Sequence, residues 1–385
     1  MQSSRKLRSR SVVPITTALA LILVALLVTA CGGGDETTAA PASDTNTTTG
    51  SESNAATSSG NAGCDVDGDK LAYVLHIRIP FTQQIAEGGE TAATECNADY
   101  AVVGPASAAN PPEAIQAFQT VVQTGAKGVA VIPYPTTELW QRPIEEATEQ
   151  GVHVALGVVS GELGIPVVIE NDVEVGRQMA EMAIKEIGTD ATGTVVVASC
   201  APGVSVLEDR VAGIKEGFAK EAPGVKVIGA LESGQPAPQN FGNWSAIVQK
   251  NPDALAFLGT CSFDVPNLAK IKRQVNGDFL IVGNELEPES LAAIENGTVL
   301  GVVGSGIWLQ GYIPIRLLAE SLANDLELTA GWIDPGSEVV TKANAAEWQD
   351  RLKSPEALAA YYQPQIDEVF ADVSGSMKPL ADQSK

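Results

Sequence analysis

The stretch TVVVASCAPGVSVLEDRVAGIKEGF, residues 194–218, places a strand and a helix in direct succession. Its first part, Thr194 to Ser199, is short and almost continuously apolar, which is typical of a strand buried on both faces. In its second part, apolar residues recur at the spacing of one helix face, at Leu207, Val211, Ile214 and Phe218. A buried strand followed by a helix is the unit of a parallel sheet covered on both sides.

The same alternation of apolar strands and helical segments occurs before and after this stretch. Four earlier apolar runs have strand length, at residues 71–77, 100–104, 128–132 and 152–159. Three later runs do so at residues 225–231, 254–258 and 279–283. We therefore predict an α/β protein with two doubly wound parallel-sheet lobes, because two halves of this size are too large to share one hydrophobic core. A ligand is expected between them, at the carboxyl ends of the strands.

Short motifs from about residue 69 to residue 345 carry a more specific resemblance. In chain order they are Ile79-Pro80-Phe81 with Gly88, Gly125 to Val129, Gln150-Gly151-Val152, Asn171-Asp172 with Gly176, Pro202-Gly203 with Asp209-Arg210 and Gly213, Ile281-Val282-Gly283 with Pro288, and Val339 to Lys342. Taken in this order, they resemble the type I, ribose-type periplasmic solute-binding proteins of bacterial ABC transporters.

This resemblance implies a chain that crosses between the lobes three times through a three-segment hinge. One lobe would comprise residues 69–168 and 306–334, the other residues 169–305 and 337–370, with residues 371–385 as a loose tail. It also implies a monomer, without enzyme activity or cofactor. Such a monomer would bind a small polar ligand, a sugar or sugar-like molecule, and deliver it to the permease subunits of an ABC importer.

The N-terminus has the order of a lipoprotein export signal. Residues 1–30 contain a basic start and then the apolar run Ile15 to Val28, which is too short for an ordinary membrane span. Val28 to Cys31 resembles a lipobox, which implies lipidation of Cys31. Residues 31–63 are rich in Gly, Ser, Thr and Ala and are expected to form a disordered tether. The predicted location is extracytoplasmic, on the outer face of the cytoplasmic membrane.

The charge balance excludes nucleic acid as an expected partner. The chain has 24 basic and 47 acidic residues, and the four basic residues of the first thirty would leave with the signal. An acidic chain without a Lys/Arg cluster would repel a phosphate backbone.

Four cysteines besides Cys31 predict disulfides rather than zinc, because none are spaced as Cys-x-x-Cys. From the expected strand order, we predict the pairs Cys64–Cys96 and Cys200–Cys261, the second facing the cleft, although the sequence leaves other pairings open. Three acidic residues, Asp65, Asp67 and Asp69, have the start of a calcium-loop spacing. The required Gly and Glu are missing there, so no metal site is predicted.

The resemblance carries ligand contacts of the family onto several positions of this chain. Phe81 matches a stacking aromatic, and Arg210 matches an arginine whose planar fork can hold two ligand oxygens. Glu285 and Asn284 fall at the end of a predicted strand. The other candidates are Thr260, Ser305, Trp308, Arg78, Asp172 and Phe241, with Trp244 as a further aromatic.

Structural roles remain open for these residues. Phe81 could be a core residue, Arg210 could pair with Glu208, and Trp308 could pack between the lobes. Asn171, three residues before Glu174, has the spacing of a helix cap. The family's aspartate–arginine pair is replaced by Leu156-Gly157-Val158, and a family asparagine and a second phenylalanine by Ile79 and Thr82. These departures put a simple pentose in doubt.

Two other classes of protein share this fold. An enzyme is not favoured, because the sequence lacks the common nucleophile, phosphate-loop and metalloprotease motifs. A DNA-binding regulator of the LacI type would need a helix-turn-helix in place of the export signal. A lipoprotein sensor of an autoinducer, nucleoside or other small molecule, acting with a membrane signalling receptor, is the alternative to a transport receptor.

Overall fold

The computed structural model describes residues 63–106 and 108–383. The first lobe begins with β1 (Lys70–Val74), α1 (Pro80–Glu95), β2 (Asp99–Val103), α2 (Pro111–Gln123), β3 (Gly128–Val131), α3 (Gln141–Glu149), β4 (His153–Gly157) and β5 (Pro166–Val168). The second lobe follows with α4 (Asp172–Ile187), β6 (Gly193–Ser199), α5 (Ser205–Glu221), β7 (Val225–Glu232), α6 (Ala237–Lys250), β8 (Ala256–Gly259), α7 (Asp264–Val275), β9 (Leu280–Asn284), α8 (Pro288–Glu295) and β10 (Gly301–Gly304). The chain then forms α9 (Ile307–Ala323), β11 (Gly331–Ile333), β12 (Glu338–Thr341), α10 (Ala345–Arg351), α11 (Pro355–Ala371) and α12 (Val373–Ser376).

Each lobe contains one six-stranded sheet. The strand order is β11-β5-β4-β3-β1-β2 in the first lobe and β12-β10-β9-β8-β6-β7 in the second. All pairs are parallel except β10 with β12. Most of the strands are buried through their central residues, as their continuous apolar sequences require. The two sheets confirm the predicted fold class.

The chain passes between the two sheets at three places up to β12, and the C-terminal segment then returns to the first sheet. The first follows β5 and leads into α4, whose N-cap is Asn171; its side chain accepts a hydrogen bond from the backbone N–H of Glu174. The second lies between β10 and α9, and the third between β11 and β12. These three short segments are the places where one lobe can rotate against the other.

Helices cross closely on the outer face of each sheet because glycines remove side chains at the contact. A methyl group on Gly311 of α9 would lie 1.8 Å from the carbonyl oxygen of Ile85 in α1. Conversely, a methyl group on Gly88 would lie 2.0 Å from the carbonyl oxygen of Trp308. The second lobe repeats this contact between α4 and α5, at Gly176 and Gly213.

The position of the C-terminal segment differs from two of the predicted assignments, that of residues 337–370 to the second lobe and that of residues 371–385 to a loose tail. Helix α11 was expected in the second lobe, but Tyr362 stacks on Trp308 and Phe370 meets Tyr312, so α11 packs on the first-lobe helix α9. The tail was expected to be loose. Instead Lys378 exchanges two backbone hydrogen bonds with Trp332, at 2.9 and 2.8 Å, and extends the first-lobe sheet. The contacts of α11 and the backbone pairing of Lys378 offset the entropy cost of ordering this segment.

Cys64 is joined to Cys96, and Cys200 to Cys261, as predicted. The first pair ties the chain before β1 to the end of α1, and the second joins the loops after β6 and β8. No helix in the described residues is long and apolar enough to cross a membrane. The predicted export signal, the predicted lipidation site Cys31 and all but the last residue of the predicted tether lie outside the described residues.

The close helix crossing predicts that Gly311→Ala lowers the free energy of unfolding by about 2 kcal/mol or more, because the added methyl group overlaps backbone. Gly242→Ala is the matched control. Gly242 is an exposed residue of α6, and a methyl group there would meet nothing within 4 Å. It should be neutral or stabilise by about 0.5–1 kcal/mol. Chemical denaturation measures both, and an equal effect of the two substitutions would contradict the packing argument.

Candidate functional site

A cavity of about 100 Å³ lies between the lobes, at the carboxyl ends of the strands. Its apolar residues are Ile79, Phe81, Ile132, Val158, Val159, Cys200, Ala201, Val204, Val206, Leu207, Cys261 and Phe263. Its polar residues are His76, Tyr134, Arg210, Gln235, Thr260, Ser262 and Glu285. Both lobes therefore contribute to one cleft, at the place where open α/β sheets bind ligands.

Arg210 of α5 is the centre of a buried polar network beside this cavity. Its Nε donates to Asp172 Oδ1 at 2.6 Å, and its Nη2 donates to Glu170 Oε1 at 2.7 Å. Its Nη1 donates to Asn284 Oδ1 at 2.5 Å and to the carbonyl oxygen of Thr260 at 2.9 Å. Four of the five guanidinium N–H groups thus bind protein oxygens. The guanidinium is fixed before any ligand arrives.

The network also joins two of the three segments that connect the lobes. Glu170 belongs to the first segment, and its Oε2 accepts a hydrogen bond from Gln310 Nε2 at 2.5 Å. Gln310 lies in the first turn of α9 and also donates to the carbonyl oxygen of Ser305, in the second segment. Asn284 donates to Ser305 Oγ at 3.1 Å. Arg210 is therefore tied to both segments through buried side chains.

Three carboxyl groups surround the single guanidinium. Besides Glu170 and Asp172, Glu285 Oε1 lies 3.7 Å from Arg210 Nη1. Burial raises the pKa of Glu285 to about 8 and raises the pKa values of Asp172 and Glu170, against the opposing attraction of Arg210. Since one positive charge cannot offset three buried carboxylates, the cluster retains protons near neutral pH.

Two buried polar atoms at the cavity have no hydrogen-bond partner: Glu285 Oε2 and His76 Nδ1. The His76 ring stacks on Tyr134 with centroids 4.9 Å apart, and burial lowers the pKa of His76 to about 4, so the imidazole is neutral. Across the cavity, Gln235 Nε2 donates to Tyr134 Oη at 3.0 Å. Buried polar atoms are nearly always paired, so these two atoms are suited to form hydrogen bonds with a ligand.

Two residues that line the cavity have left-handed backbone conformations. They are Val158 after β4, with φ of 67°, and Glu285 after β9, with φ of 77°. This conformation is rare for a β-branched residue and costs of order 1–3 kcal/mol. One such residue therefore lies at a strand end in each lobe, as is common at ligand sites.

Four of the predicted ligand contacts line the cavity, and the others do not. Those in the cavity wall are Phe81, Arg210, Thr260 and Glu285. Those behind Arg210, fully buried and bonded within the protein, are Asp172, Asn284 and Ser305. Those away from the cavity are Arg78, Trp308, Phe241 and Trp244.

Trp308 is not a stacking platform for a ligand in this structure. Its ring is 1% exposed and lies between the rings of Tyr312 and Tyr362, at 5.1 and 5.8 Å. Arg78 is exposed and donates to the carbonyl oxygen of Val102. Both residues follow a strand or a crossing, but Arg78 contacts strand β2 and Trp308 packs among helices, and neither lines the cavity.

Trp244 and Phe241 belong to α6, outside the cavity wall. The indole Nε1 of Trp244 donates to Asp264 Oδ1 at 2.7 Å, and Asp264 Oδ2 accepts from the backbone N–H of Cys261 at 2.9 Å. Through Asp264, Trp244 therefore stabilises the loop that contains Cys261, on the side away from the cavity. Phe241 packs half-buried against the core.

Several residues of the site were missed by the sequence analysis. Tyr134 and Gln235 follow β3 and β7, so an inspection of every strand end would have found them. His76 was assigned to the first strand, but β1 ends at Val74. Glu170 precedes the helix cap directly, and no pattern in the sequence shows that this carboxyl group is buried.

The fold and the interlobe cavity define a two-lobed binding protein. The chain belongs to the family described as periplasmic binding protein domain, whose model matches residues 74–325. This confirms a solute-binding protein rather than an enzyme. No curated protein matches the sequence.

Several solved structures share the fold. An ABC transporter solute-binding protein from Burkholderia graminis, in complex with D-arabinose, has 20% identity and a TM-score of 0.67, and the match covers 73% of this chain and 97% of that one. GanP, a glucose-galactose binding protein from Geobacillus stearothermophilus, has 20% identity and a TM-score of 0.65, over 72% and 98%. An Agrobacterium vitis solute-binding protein with α-D-tagatopyranose has 20% identity and a TM-score of 0.66, over 72% and 96%. At such identities the likeness shows the fold alone.

The buried carboxyl cluster predicts that stability falls as pH rises from about 5 to 8. Glu285 has a pKa raised to about 8, so in this window the folded protein holds a proton that the unfolded chain, titrating near pH 4.5, has released. Each such proton changes the free energy of unfolding by about 1.4 kcal/mol per pH unit. Glu285→Gln, which cannot ionise, should flatten this slope, and the variant should gain stability relative to wild type as pH rises.

Thermal or urea unfolding at several pH values measures the slope. Glu327→Gln, at an exposed position, is the control and should leave the slope as in wild type. If Glu285→Gln and Glu327→Gln have the same pH profile, then Glu285 is not the group that carries the raised pKa.

Proposed function

We propose that this chain is an extracytoplasmic, monomeric solute receptor that binds one small hydroxyl-bearing molecule, a sugar or a sugar-like compound, between its lobes. The observation that carries this proposal is the interlobe cavity, in which Glu285 Oε2 and His76 Nδ1 have no partner among the described residues. Membership of the binding-protein family supports it. So do the sugars present in structures of similar fold, among them D-arabinose and D-fucose.

Binding would be coupled to lobe closure. The cavity wall contains Phe81 from the first lobe and Glu285 from the second, so a ligand that fills it contacts both lobes. Such a ligand binds the closed form better than the open form and shifts the population by that difference. The permease subunits of an ABC importer would recognise the closed form, and the ligand would be delivered without chemical change.

The Arg210 network would keep the polar floor of the cavity in place while the lobes move. Because Arg210 is bonded to Glu170 near one connecting segment and to Asn284, which bonds to Ser305 in another, the polar floor of the cavity is held beside the hinge. Rotation about the connecting segments would move the first-lobe wall while this floor stays intact. A binding site with one preformed wall loses less entropy when the ligand binds.

The first test is ligand binding with a readout of closure. A panel of monosaccharides is screened by thermal shift, since a ligand at 100 times its dissociation constant adds about 2.7 kcal/mol of stability. For a sugar that binds, Phe81→Ala and Glu285→Gln should each weaken binding by about tenfold or more. Phe241→Ala, outside the cavity, is the control and should bind as wild type.

Small-angle scattering with the same sugar should show a smaller radius of gyration on saturation, unless the unliganded protein is already closed. In that case, hydrogen exchange at the connecting segments should slow with ligand. A sugar that binds without either change, or equally well to all three variants, would contradict the proposed site.

A lipid anchor on Cys31 is part of the proposal and rests on the sequence alone. The signal at residues 1–30, Cys31 and the tether to residue 63 would hold the folded part on the outer face of the cytoplasmic membrane. Wild type should fractionate with membranes, since two or three acyl chains bind a bilayer firmly. Cys31→Ala should shift to the soluble extracytoplasmic or precursor fraction. Identical partition of the two proteins would rule out the anchor.

A sensor role is the second candidate. A structure of similar fold, a XylFII–LytSN complex with 20% identity and a TM-score of 0.64, has a binding protein of this kind in complex with another protein. In this chain the closed lobes would signal to a membrane receptor instead of a permease. Reconstitution separates the roles, because only a transport receptor stimulates ligand-dependent ATP hydrolysis by an importer.

A further inference from the structure

The polar groups of the cavity are confined to part of its wall. The second-lobe floor carries Arg210, Thr260 and Glu285, and the pair Gln235 and Tyr134 bridges the lobes at another point. Apart from His76 in the first lobe and Ser262 in the second, the remaining wall is apolar on both sides. Ile132 and Val158 belong to the first lobe, and Val204, Val206 and Leu207 to the second.

Most of the backbone N–H groups of this apolar wall do not supply the missing polar contacts. Along the apolar wall, the backbone N–H groups already donate to carbonyl oxygens of the protein, at Ile132, Val158, Val159, Val204 and Leu207. A ligand hydroxyl that faces this wall loses its water without gaining a donor from these groups. A buried polar group without a partner weakens binding, whereas an apolar group at the same place strengthens it.

The charges at the polar floor oppose an anionic ligand. Among the described residues that line the cavity, Arg210 is the permanent cation, and it is shared among Glu170, Asp172 and Glu285. A ligand carboxylate or phosphate would add a further negative charge to a site already rich in carboxyl groups. The unpartnered Glu285 Oε2 instead suits a neutral hydroxyl.

We propose that the ligand is an uncharged, amphipathic ring with hydroxyl groups along one edge and an apolar remainder, such as a deoxy or O-methylated sugar, rather than a fully hydroxylated or anionic one. The hydroxyl edge lies against Glu285 and Thr260, and the apolar part packs against Phe81, Val158 and Leu207. This inference rests on the proposed function, and it narrows the class of solute.

Calorimetry with matched pairs tests this inference. Each pair differs by one oxygen: D-galactose against D-fucose, L-mannose against L-rhamnose, and D-glucose against 6-deoxyglucose, with D-galacturonate as an anionic probe. The deoxy member should bind about tenfold more tightly or better than its partner. D-Galacturonate should show no binding.

A variant of the wall gives the second readout. Val206→Thr keeps the shape of the side chain but adds a hydroxyl to the apolar wall, so the preference for the deoxy member should fall several-fold. Val339→Thr makes the same change at an exposed position outside the cavity and should keep the wild-type ratio. Thermal unfolding of both variants confirms that they fold.

The outcomes separate the two proposals. If a fully hydroxylated or anionic sugar binds as tightly as its deoxy partner, and Glu285→Gln weakens it, the receptor function stands and the amphipathic ligand is wrong. If the ratio is unchanged in Val206→Thr, the wall does not set the preference and the inference also fails. If no member of the panel binds, the proposed sugar receptor fails and this inference fails with it.

Discussion

Arg210 holds together parts of the chain that are far apart in sequence. Its guanidinium bonds Glu170 and Asp172 at the first connecting segment, and Asn284 at the end of β9. Removing this cation would leave three buried carboxyl groups without a counter-charge, which typically costs about 3–5 kcal/mol for a buried ion pair. The closed arrangement of strand ends around the cavity therefore depends on one buried charge cluster.

The same cluster explains why the polar side of the cavity is so small. Most of the polar side chains at the strand ends are used to neutralise one another, so few of their atoms face a ligand. Asn284 and Ser305 bond to each other, and Thr260 gives its carbonyl oxygen to Arg210. Glu285 and His76 are the exceptions among the described residues of the cavity, because Glu285 Oε2 and His76 Nδ1 have no partner. The polar atoms that hold the connecting segments in place are therefore not free to hydrogen-bond to a ligand.

The alternation of apolar strands and helices was enough to predict the fold, because parallel sheets leave a continuous and local signal. The cysteine pairs could be predicted for the same reason, since strand order places Cys200 near Cys261. The aromatic candidates failed because a strand end does not determine where a large side chain packs. Trp308 lies between Tyr312 of its own helix and Tyr362 of α11, which is distant in sequence. Glu170 and His76 were missed because their burial depends on contacts that no local pattern records.

Apolar contacts across the cleft affect how readily the lobes close and which ligands favour the closed form. Val204, Val206, Leu207 and Cys261 of the second lobe belong to the same buried cluster as Val131 and Leu156 of the first lobe. Opening the lobes would expose these side chains at about 25 cal/mol per Å² of apolar surface, so part of the free energy of closure does not come from the ligand. A ligand adds selectivity only through contacts that differ between the open and closed forms. In a cleft that closes on apolar side chains, a solute with an apolar face extends the contact, whereas a solute polar on all sides interrupts it.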